Sequence, residues 1–384
     1  MNQEDQSQLT RPWVDWTARQ IHDPVWRLRY LQSVIPAPVR PSRWKSRKTI
    51  GLLTLLAIGT VAAPLSLRMS DAAPTTPAPK PPVIPPPRPK PLVATVDPPF
   101  TDVWPVETTS GYEVYSNGLR IENQYAVSHR PRAYLAYPAT DPEGTRGEMR
   151  TTPAGIVYHT TESLQAPFEP SQNNVLKRVG ESLISYVRRR RCYHFLIDRF
   201  GRVFRIVNER DAADHAGHSV WADDRYVYVN LNDSFIGISF EAQTGFGEDA
   251  TSAGDAQVRS AAILTEMLRS RYKIPARNCV THAQVSVNPS NMQIGYHIDW
   301  ASSFPFEKLG LPDNYAWPSP AVSTFGFGFD VGFEQRAGER MGAAALEAES
   351  VIQEHARAAH QSIAAYRQVL RKRFLRLSSH RASR

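Results

Sequence analysis

Cysteine is scarce in this sequence. The chain has 384 residues and only two cysteines, Cys192 and Cys279. Two thiols exclude a disulfide-dense scaffold, and they also exclude a structural zinc site built from cysteine alone. A single Cys192–Cys279 disulfide stays open at this point, because the sequence does not show whether the two residues meet.

Most of the chain also lacks an excess of charge of either sign. The formal net charge is +8, from 45 Lys and Arg against 37 Asp and Glu, an excess that often indicates nucleic-acid binding. Residues 1–48 contain nine basic and four acidic side chains, and residues 335–384 contain ten and four. The remaining 286 residues have 26 basic and 29 acidic side chains. The basic charge lies in the two tails, so no nucleic-acid partner is predicted.

One long uncharged run occurs near the N-terminus. Residues 49–67, TIGLLTLLAIGTVAAPLSL, have no charged side chain and would span about 28 Å as a helix. Five basic residues lie at positions 40–48, and only Arg68 follows before Asp71. This pattern predicts a single transmembrane helix, with a basic cytoplasmic segment at 1–48 and the rest of the chain on the extracytoplasmic side of the cell membrane. A cleaved signal peptide is the alternative, although a 48-residue leader is long for one.

Proline is concentrated in one segment. Residues 74–99 contain 12 of the 31 prolines. Such a run is incompatible with a helix or an interior strand and favours an extended polyproline II conformation. Residues 68–101 are therefore predicted to be a proline-rich linker.

The central part of the chain alternates between strand and helix patterns. Residues 102–148 are predicted to be an extension with a β-hairpin around Asn117 and Gly118, a strong turn signal. Residues 149–315 are predicted to form a mixed α/β domain, in which helices flank a mixed central β-sheet. The predicted strands are 155–159, 192–197, 203–207, 236–241 and 279–282, and the predicted helices are 172–187 and 255–272.

The C-terminal residues 335–384 form a basic, amphipathic pattern. Apolar residues recur at spacings of three and four, which predicts one long helix. These residues are Ile352, Ala356, Ala359, Ile363, Tyr366, Leu370, Phe374 and Leu377. We expect the apolar stripe to pack on the body or on a second copy of the chain; contact with a membrane surface is a further alternative.

Three segments carry residue types that bind metals. His159 ends one predicted strand, His282 ends another, and His297 and Asp299 lie in the loop after it. Neutral imidazoles and a carboxylate are the usual ligands of a catalytic zinc ion that keeps one position open for water. Taken singly, however, each histidine is more often a solvated or hydrogen-bonded residue, because spacing this long has no local signature.

Four sequence words occur in order along the chain: IVYHTTES at 156–163, CYHFLIDRFGRVFRIVNERDAADHAGHS at 192–219, IGISFEA at 236–242 and THAQV at 281–285. Together they resemble the type 2 N-acetylmuramoyl-L-alanine amidases, zinc-dependent enzymes that share their fold with the peptidoglycan-recognition proteins. The resemblance extends over about residues 150–310. It implies hydrolysis, by zinc-activated water, of the amide between the lactyl group of N-acetylmuramic acid and L-alanine of peptidoglycan.

The resemblance also implies roles for individual residues. It makes His159, His282 and Asp299 the zinc ligands. Because the loop after His282 is longer than in simpler members, His297 remains an alternative third ligand. If Asp299 binds zinc, His297 occupies the place of a family lysine that faces the substrate carbonyl, where a donor stabilises developing negative charge.

Further site residues follow from the same resemblance. Tyr193 matches a tyrosine that lies near the zinc in some members. Ser239 stands where other members have a catalytic glutamate, so Glu241 is the candidate general base, with a solvated carboxylate as the alternative. His215 and Gly217, in an HAG turn, are expected to shape the substrate groove.

Three alternatives remain open at this stage. The domain could be a non-catalytic peptidoglycan-binding module of the same fold, which the serine at 239 and the histidine at 297 favour. It could also be a zinc peptidase that cuts within the stem peptide. The run Arg188–Arg191 is either a solvated loop or a contact for stem-peptide carboxylates.

Overall fold

A computed structural model describes residues 97–141, 146–245, 253–329 and 331–379. The strands in these ranges are β1 Pro105–Thr108, β2 Tyr112–Tyr115, β3 Arg120–Glu122, β4 Tyr134–Pro138, β5 Glu148–Arg150, β6 Gly155–Thr160, β7 Phe195–Ile197, β8 Val203–Arg205, β9 Val220–Ala222, β10 Tyr226–Val229, β11 Phe235–Phe240, β12 Cys279–Thr281, β13 Val287–Asn288 and β14 Gln293–Ile294. The α-helices are α1 Asn173–Arg190, α2 Leu231–Ser234, α3 Asp255–Tyr272, α4 His282–Val285, α5 Pro320–Ser323, α6 Val331–Ala358 and α7 Ile363–Ser379.

The main sheet has eight strands in the order β1-β2-β3-β8-β7-β11-β6-β12. Its last four strands, β7, β11, β6 and β12, are mutually parallel, whereas β1, β2 and β3 pair antiparallel, as do β7 and β8. The mixed α/β prediction is therefore confirmed. Because the four parallel strands end at the same edge of the sheet, residues at their carboxyl ends lie side by side.

Strands β6 and β11 form the centre of the core. All six residues of each strand, GIVYHT and FIGISF, are buried. Continuous apolar runs of this kind are typical of parallel strands that are covered on both faces. Gly155 is required in β6, since a Cβ there would lie 2.2 Å from the Phe235 ring of the neighbouring strand.

Helices α1 and α3 cover the two faces of the sheet. In β7, Phe195 and Ile197 belong to the cluster that contains the buried side of α3, whereas Leu196 belongs to the cluster with α1. This alternation follows from the two-residue period of a strand. The bounds of α3 agree with the predicted helix at 255–272.

The extension before the central domain contributes strands to two sheets. β2 and β3 form the predicted hairpin, and Gly118 in its turn has a φ of 84°, which favours glycine. β3 then joins the main sheet by parallel pairing with β8. A second, antiparallel sheet has the order β5-β4-β10-β9.

The C-terminal region is interrupted where the sequence predicts one helix: Gly338 has a non-helical backbone (φ 72°, ψ 168°) that kinks α6, and α6 is separate from α7. α6 ends at Ala358 and α7 begins at Ile363, with His360 between them at a φ of 54°. The apolar stripe of α7 packs on its own chain: Phe374 lies 4.9 Å from the Phe327 ring and 6.1 Å from the Phe325 ring. The predicted self-association through this region is therefore not supported, because the body of the same chain covers the stripe.

The predicted transmembrane helix is not supported either. Within the residues that the structure describes, no helix is long and apolar enough to cross a membrane. The longest of them, α6, carries charged residues such as Glu347 and Glu349. Residues 49–67, 1–48 and most of the linker 68–101 lie outside the described ranges. The fold class is corrected to a mixed α/β body, and the single-pass membrane location predicted with that helix is corrected with it.

The two cysteines are free thiols. Cys279 is buried in β12, and Cys192 is half-buried after α1. The open question of a Cys192–Cys279 disulfide is thus answered in the negative by this structure.

Candidate metal centre and active site

Three candidate ligands meet at the carboxyl edge of the parallel strands. His159 is the fifth residue of β6, and His282 follows β12 directly as the first residue of α4. Since β6 and β12 are adjacent and parallel, both imidazoles reach the same edge. Asp299 joins them, and the ligand atoms of the three residues all lie within 4.8 Å of one another.

The start of α4 fixes the backbone at His282. Thr281 is the N-cap, and the Gln284 side chain accepts a hydrogen bond from the Thr281 backbone N–H at 2.9 Å. This reciprocal capping satisfies backbone groups that the helix itself leaves unpaired. Asp299 is tied to the same helix, because its carbonyl accepts from the Ala283 N–H at 3.2 Å.

A chain of hydrogen bonds sets the tautomer of His159. The Nε2 of His215 lies 3.2 Å from the Phe235 carbonyl oxygen, which can only accept, so this nitrogen carries a proton. The Nδ1 of His215 is then an acceptor, and it lies 3.1 Å from the Nε2 of His159. Burial lowers the pKa of His159 to about 4, so its ring is neutral at pH 7. Its single proton is therefore on Nε2, which leaves a lone pair on Nδ1.

This lone pair faces a carboxylate. The Nδ1 of His159 lies 3.4 Å from Oδ2 of Asp299, and the Nδ1 of His282 lies 2.8 Å from Oδ1. Burial on its own would raise the pKa of Asp299, but the neighbouring imidazoles of His282 and His159 outweigh it and hold the pKa well below its usual range. An imidazole lone pair opposed to a carboxylate oxygen at this distance suits a cation between them, so the three residues fit a zinc ion.

Two further candidates border this cluster. The Tyr193 ring lies 5.2 Å from that of His159, and its hydroxyl donates to the Thr160 carbonyl at 3.4 Å. Burial raises the pKa of Tyr193 above its usual range, so the hydroxyl remains a donor. The His297 ring stacks on His282 with centroids 4.6 Å apart. His297 has solvent-accessible surface, yet desolvation by surrounding protein lowers its pKa to about 4, which leaves a neutral N–H donor.

The hydrogen bond of Glu241 is made outside the cluster of His159, His282 and Asp299. Its Oε2 accepts from the Arg199 backbone N–H at 3.2 Å, in the turn after β7, and burial raises its pKa. Ser239 is the residue that pairs in register with His159 across β11 and β6. Its hydroxyl is buried and has no hydrogen-bond partner among the described residues.

The HAG turn, which is predicted to shape the substrate groove, lies beside His159. His215 is buried, at 7% exposure, and contacts His159 rather than an open groove. Gly217, two residues on, is exposed with a φ of 52°. Arg188–Arg191 is exposed at the carboxyl end of α1, where basic side chains interact favourably with the helix dipole.

The sequence does not indicate that Arg132 supports His215. Arg132, in the extension before the domain, is only 2% exposed and donates to the Phe235 carbonyl at 3.2 Å. The same carbonyl accepts from His215. No local pattern marks Arg132, because the hydrogen-bond partners of its guanidinium lie 62 to 103 residues further along the chain.

Comparison with known proteins identifies the domain. Residues 149–294 match the family model Amidase_2, described as N-acetylmuramoyl-L-alanine amidase. The match includes His159, Tyr193, His215 and His282 and ends before Asp299. A comparison with curated proteins found no match.

Several solved structures are similar at low identity. N-acetylmuramoyl-L-alanine amidase LysC from Clostridium intestinale URNW is 21% identical over 49% of this chain and 93% of its own, with a TM-score of 0.27. The amidase AmiD from E. coli, in complex with anhydro-N-acetylmuramic acid-L-Ala-D-gamma-Glu-L-Lys, is 21% identical over 55% and 68%, with a TM-score of 0.33. PGRP-SA from Apis mellifera is 15% identical over 42% and 81%, with a TM-score of 0.26.

The family match agrees with the four sequence words, and the enzyme class they predict is confirmed with it. The conclusion applies to the matched residues, which are 146 of the 384. Residues 149–294 of this chain are a domain of the N-acetylmuramoyl-L-alanine amidase family.

Proposed function

We propose that this chain is a zinc-dependent amidase that hydrolyses the bond between the lactyl group of N-acetylmuramic acid and L-alanine in peptidoglycan. The observation that carries the proposal is the buried cluster of two imidazoles and one carboxylate at the edge of an amidase-family sheet. His159, His282 and Asp299 would hold the metal. A zinc ion there supplies Lewis acidity and activates water at neutral pH.

The surrounding residues have distinct tasks in this proposal. His215 keeps the proton of His159 on Nε2, so that Nδ1 stays available as a ligand atom. Tyr193, whose hydroxyl stays protonated, donates a hydrogen bond to the oxygen that gains negative charge during amide cleavage. His297 donates a second hydrogen bond from a neutral ring. Preorganised donors of this kind lower the barrier because they need no reorganisation during the reaction.

Proton transfer to the leaving amine needs a group near the metal. Glu241 accepts a hydrogen bond from the Arg199 N–H in the turn after β7. Its pKa is raised, but this does not make it a proton donor at the cluster, because its contacts are in that turn. Asp299 has its oxygens directed at the two imidazoles. In the proposal, the proton released by the attacking water would therefore pass to the leaving amine through Tyr193 and His297, each of which can give one proton and take up another. Glu241 has a structural task in the β7–β8 turn.

Digestion of purified peptidoglycan tests the proposal. Full-length protein with zinc should release stem peptides with a free N-terminal L-alanine, as seen by mass spectrometry of the products. Cleavage within the stem peptide would give shorter fragments and would indicate a peptidase. If wild type with zinc releases no more stem peptide than His159→Ala does, the proposed amidase activity is contradicted.

A non-catalytic peptidoglycan-binding module is the second candidate. The observation that favours it is the absence of a carboxylate at Ser239, the position that pairs with His159. In that case the protein would sediment with peptidoglycan sacculi and release no stem peptides, and the purified protein would contain no stoichiometric zinc. These two measurements separate the candidates.

A further inference from the structure

The loop that carries Asp299 is held by residues that follow it in the chain. We call residues 295–302 the ligand loop. It begins one residue after the family match ends at 294. The ligand loop therefore lies just beyond the matched residues, and its position in this chain depends on the contacts described below.

Tyr315 fixes the backbone directly after Asp299. It is 1% exposed, and its hydroxyl donates to the Trp300 carbonyl at 2.5 Å and accepts from the Phe304 N–H at 3.1 Å. Trp300 has a φ of 58°, a left-handed conformation that costs energy in a bulky residue. The hydrogen bond from Tyr315 holds this strained residue, and with it the direction in which the Asp299 side chain leaves the backbone.

Helix α6 contacts both ends of the ligand loop. At one end, a Cβ on Gly295 would lie 2.4 Å from the ring of Phe333, which is 1% exposed. At the other end, a Cβ on Gly338 would lie 2.7 Å from the Cβ of Ser302. Both glycines have φ values above 70°. Contact this close leaves the loop no room to move toward the helix.

Helix α6 is in turn fixed to the body. Arg340 forms an ion pair with Asp313 at 2.6 Å, and its guanidinium lies 5.6 Å from the centre of the Tyr315 ring. The Ala344 carbonyl accepts from the Ser319 N–H at 3.2 Å. Tyr315, Phe333 and Gly338 therefore belong to one connected structure that contacts the ligand loop at both of its ends and at Trp300.

We propose that the segment from 312 to 358 is part of the metal centre, with Tyr315 and Phe333 as positioning residues for Asp299. His159 and His282 are placed by the sheet, whereas Asp299 is placed jointly by α4, through the Ala283 N–H, and by this C-terminal segment. The inference rests on the proposed function, because it concerns the same metal. It assigns to the C-terminal region a task in metal binding in place of self-association.

Zinc affinity of full-length variants tests the inference. Tyr315→Phe removes one hydroxyl, and Phe333→Ala removes the ring against Gly295. The matched controls are Tyr134→Phe, a 6% exposed tyrosine whose hydroxyl donates to the Thr152 carbonyl at 2.7 Å, and Phe374→Ala, a 4% exposed phenylalanine on α7. The measurements are the zinc dissociation constant, by competition with a chromophoric chelator, and the Tm of the metal-free protein.

We expect Tyr315→Phe and Phe333→Ala to weaken zinc binding about 10–100-fold, the usual effect of removing a group that orients a ligand. The controls should lose a similar amount of Tm and keep wild-type zinc affinity. The visible spectrum of the Co²⁺-substituted protein should change in the two test variants only. If Phe333→Ala does not fold, Tyr315→Phe decides the question alone.

Two results would overturn the inference, and they differ. If wild type binds stoichiometric zinc and all four variants bind it equally well, the C-terminal segment has only a structural role, and the proposed function stands. If wild type binds no zinc at all, the proposed function fails, and the positioning role fails with it.

Discussion

The Nε2 of His159 lies 3.1 Å from the Nδ1 of His215, and the other nitrogen of His215 lies 3.2 Å from the Phe235 carbonyl oxygen. The carbonyl therefore determines, through two imidazoles, which nitrogen of His159 has a free lone pair. Metal-binding histidines commonly depend on a hydrogen bond of this kind at their other nitrogen.

Replacing His215 should weaken zinc binding. We expect a loss of about 10–100-fold in zinc affinity for His215→Leu, because His159 then loses the acceptor for its Nε2 proton. His215→Gln, which still offers a carbonyl oxygen, should retain more of the affinity. Chelator competition measures both. His218→Leu, an exposed histidine three residues on, is the control, and an equal loss in His218→Leu would contradict the explanation.

Asp299 and His297 should separate into two roles. Asp299→Ala removes a ligand, so we expect loss of stoichiometric zinc and of activity. His297→Ala removes only a donor, so zinc should remain bound while kcat falls about 10²–10³-fold. Zinc analysis alongside product release checks this assignment. The reverse pattern, with zinc lost only in His297→Ala, would make His297 the third ligand.

Tyr193→Phe should lower kcat and leave zinc affinity unchanged. The variant deletes a hydroxyl beside His159 and keeps the ring that packs on it. Loss of one transition-state donor costs about 10²–10³-fold in kcat. A suitable comparison is Glu241→Gln, for which we expect a change in kcat of less than about tenfold, since its carboxylate binds the Arg199 backbone. A larger loss in Glu241→Gln than in Tyr193→Phe would restore Glu241 as general base.

Two glycine-to-alanine variants should have opposite effects. A Cβ on Gly237 would lie 2.5 Å from the Cγ of His215, so Gly237→Ala should displace that ring, destabilise the fold by about 1–3 kcal/mol and weaken zinc binding. A Cβ on Gly180 in α1 would meet nothing within 4 Å. Gly180→Ala should therefore stabilise the helix by about 0.5–1 kcal/mol. Chemical denaturation and chelator competition measure the two quantities; wild-type zinc affinity in Gly237→Ala would contradict the proposed contact.

Glu113 should make stability depend on pH below about 4.5. Burial would raise its pKa, but hydrogen bonds from Arg205 and Tyr115 and the Arg205 charge outweigh this and lower the pKa to about 2. A carboxyl with a lower pKa in the folded state contributes stability that is complete above the unfolded pKa of about 4.5 and is lost as pH falls toward 2. Because Glu113 is partly exposed, we expect a contribution of about 1–2 kcal/mol.

Urea unfolding between pH 6 and pH 2.5 measures this dependence. Glu113→Gln cannot ionise, so its stability should fall less steeply over that range than that of wild type. Glu148→Gln is the control, since the Glu148–Arg150 pair lies on the short strand β5 at the edge of the second sheet. Equal slopes for Glu113→Gln and wild type would exclude the Glu113 contribution.

The parts of the fold that the sequence predicts best are those set by local pattern. The runs at β6 and β11 are short and largely apolar, and the helix at 255–272 has a 3.6-residue period; the structure has all three within about a residue. The end of the first C-terminal helix was not predicted, because the stripe of apolar residues continues across 359–362. A left-handed His360 interrupts it, and no glycine or proline marks the break.

The candidate site follows the same division. His159 and His282 each end a predicted strand, and ends of parallel strands meet, but the resemblance to the amidase family is what selects them as ligands. The contact of His215 with His159 and that of Tyr315 with Trp300 depend on segments that approach only in the folded chain. Those pairings leave no local signal, so the sequence suggests the proposed metal ligands and does not indicate most of the contacts that hold them.

Alkylation of the buried Cys279 thiol can report how often the sheet opens near the proposed metal centre. Cys279 is fully buried in β12, three residues before His282, and burial raises its pKa to about 12. Since only a thiolate alkylates readily, iodoacetamide should label Cys279 only when β12 separates from β6. Burial also raises the pKa of Cys192, but its side chain is only half-buried, so it should react in the native state faster than Cys279 and provides an internal reference. Added zinc should slow labelling of Cys279, and the ratio of the two rates measures how tightly the metal closes this edge of the sheet.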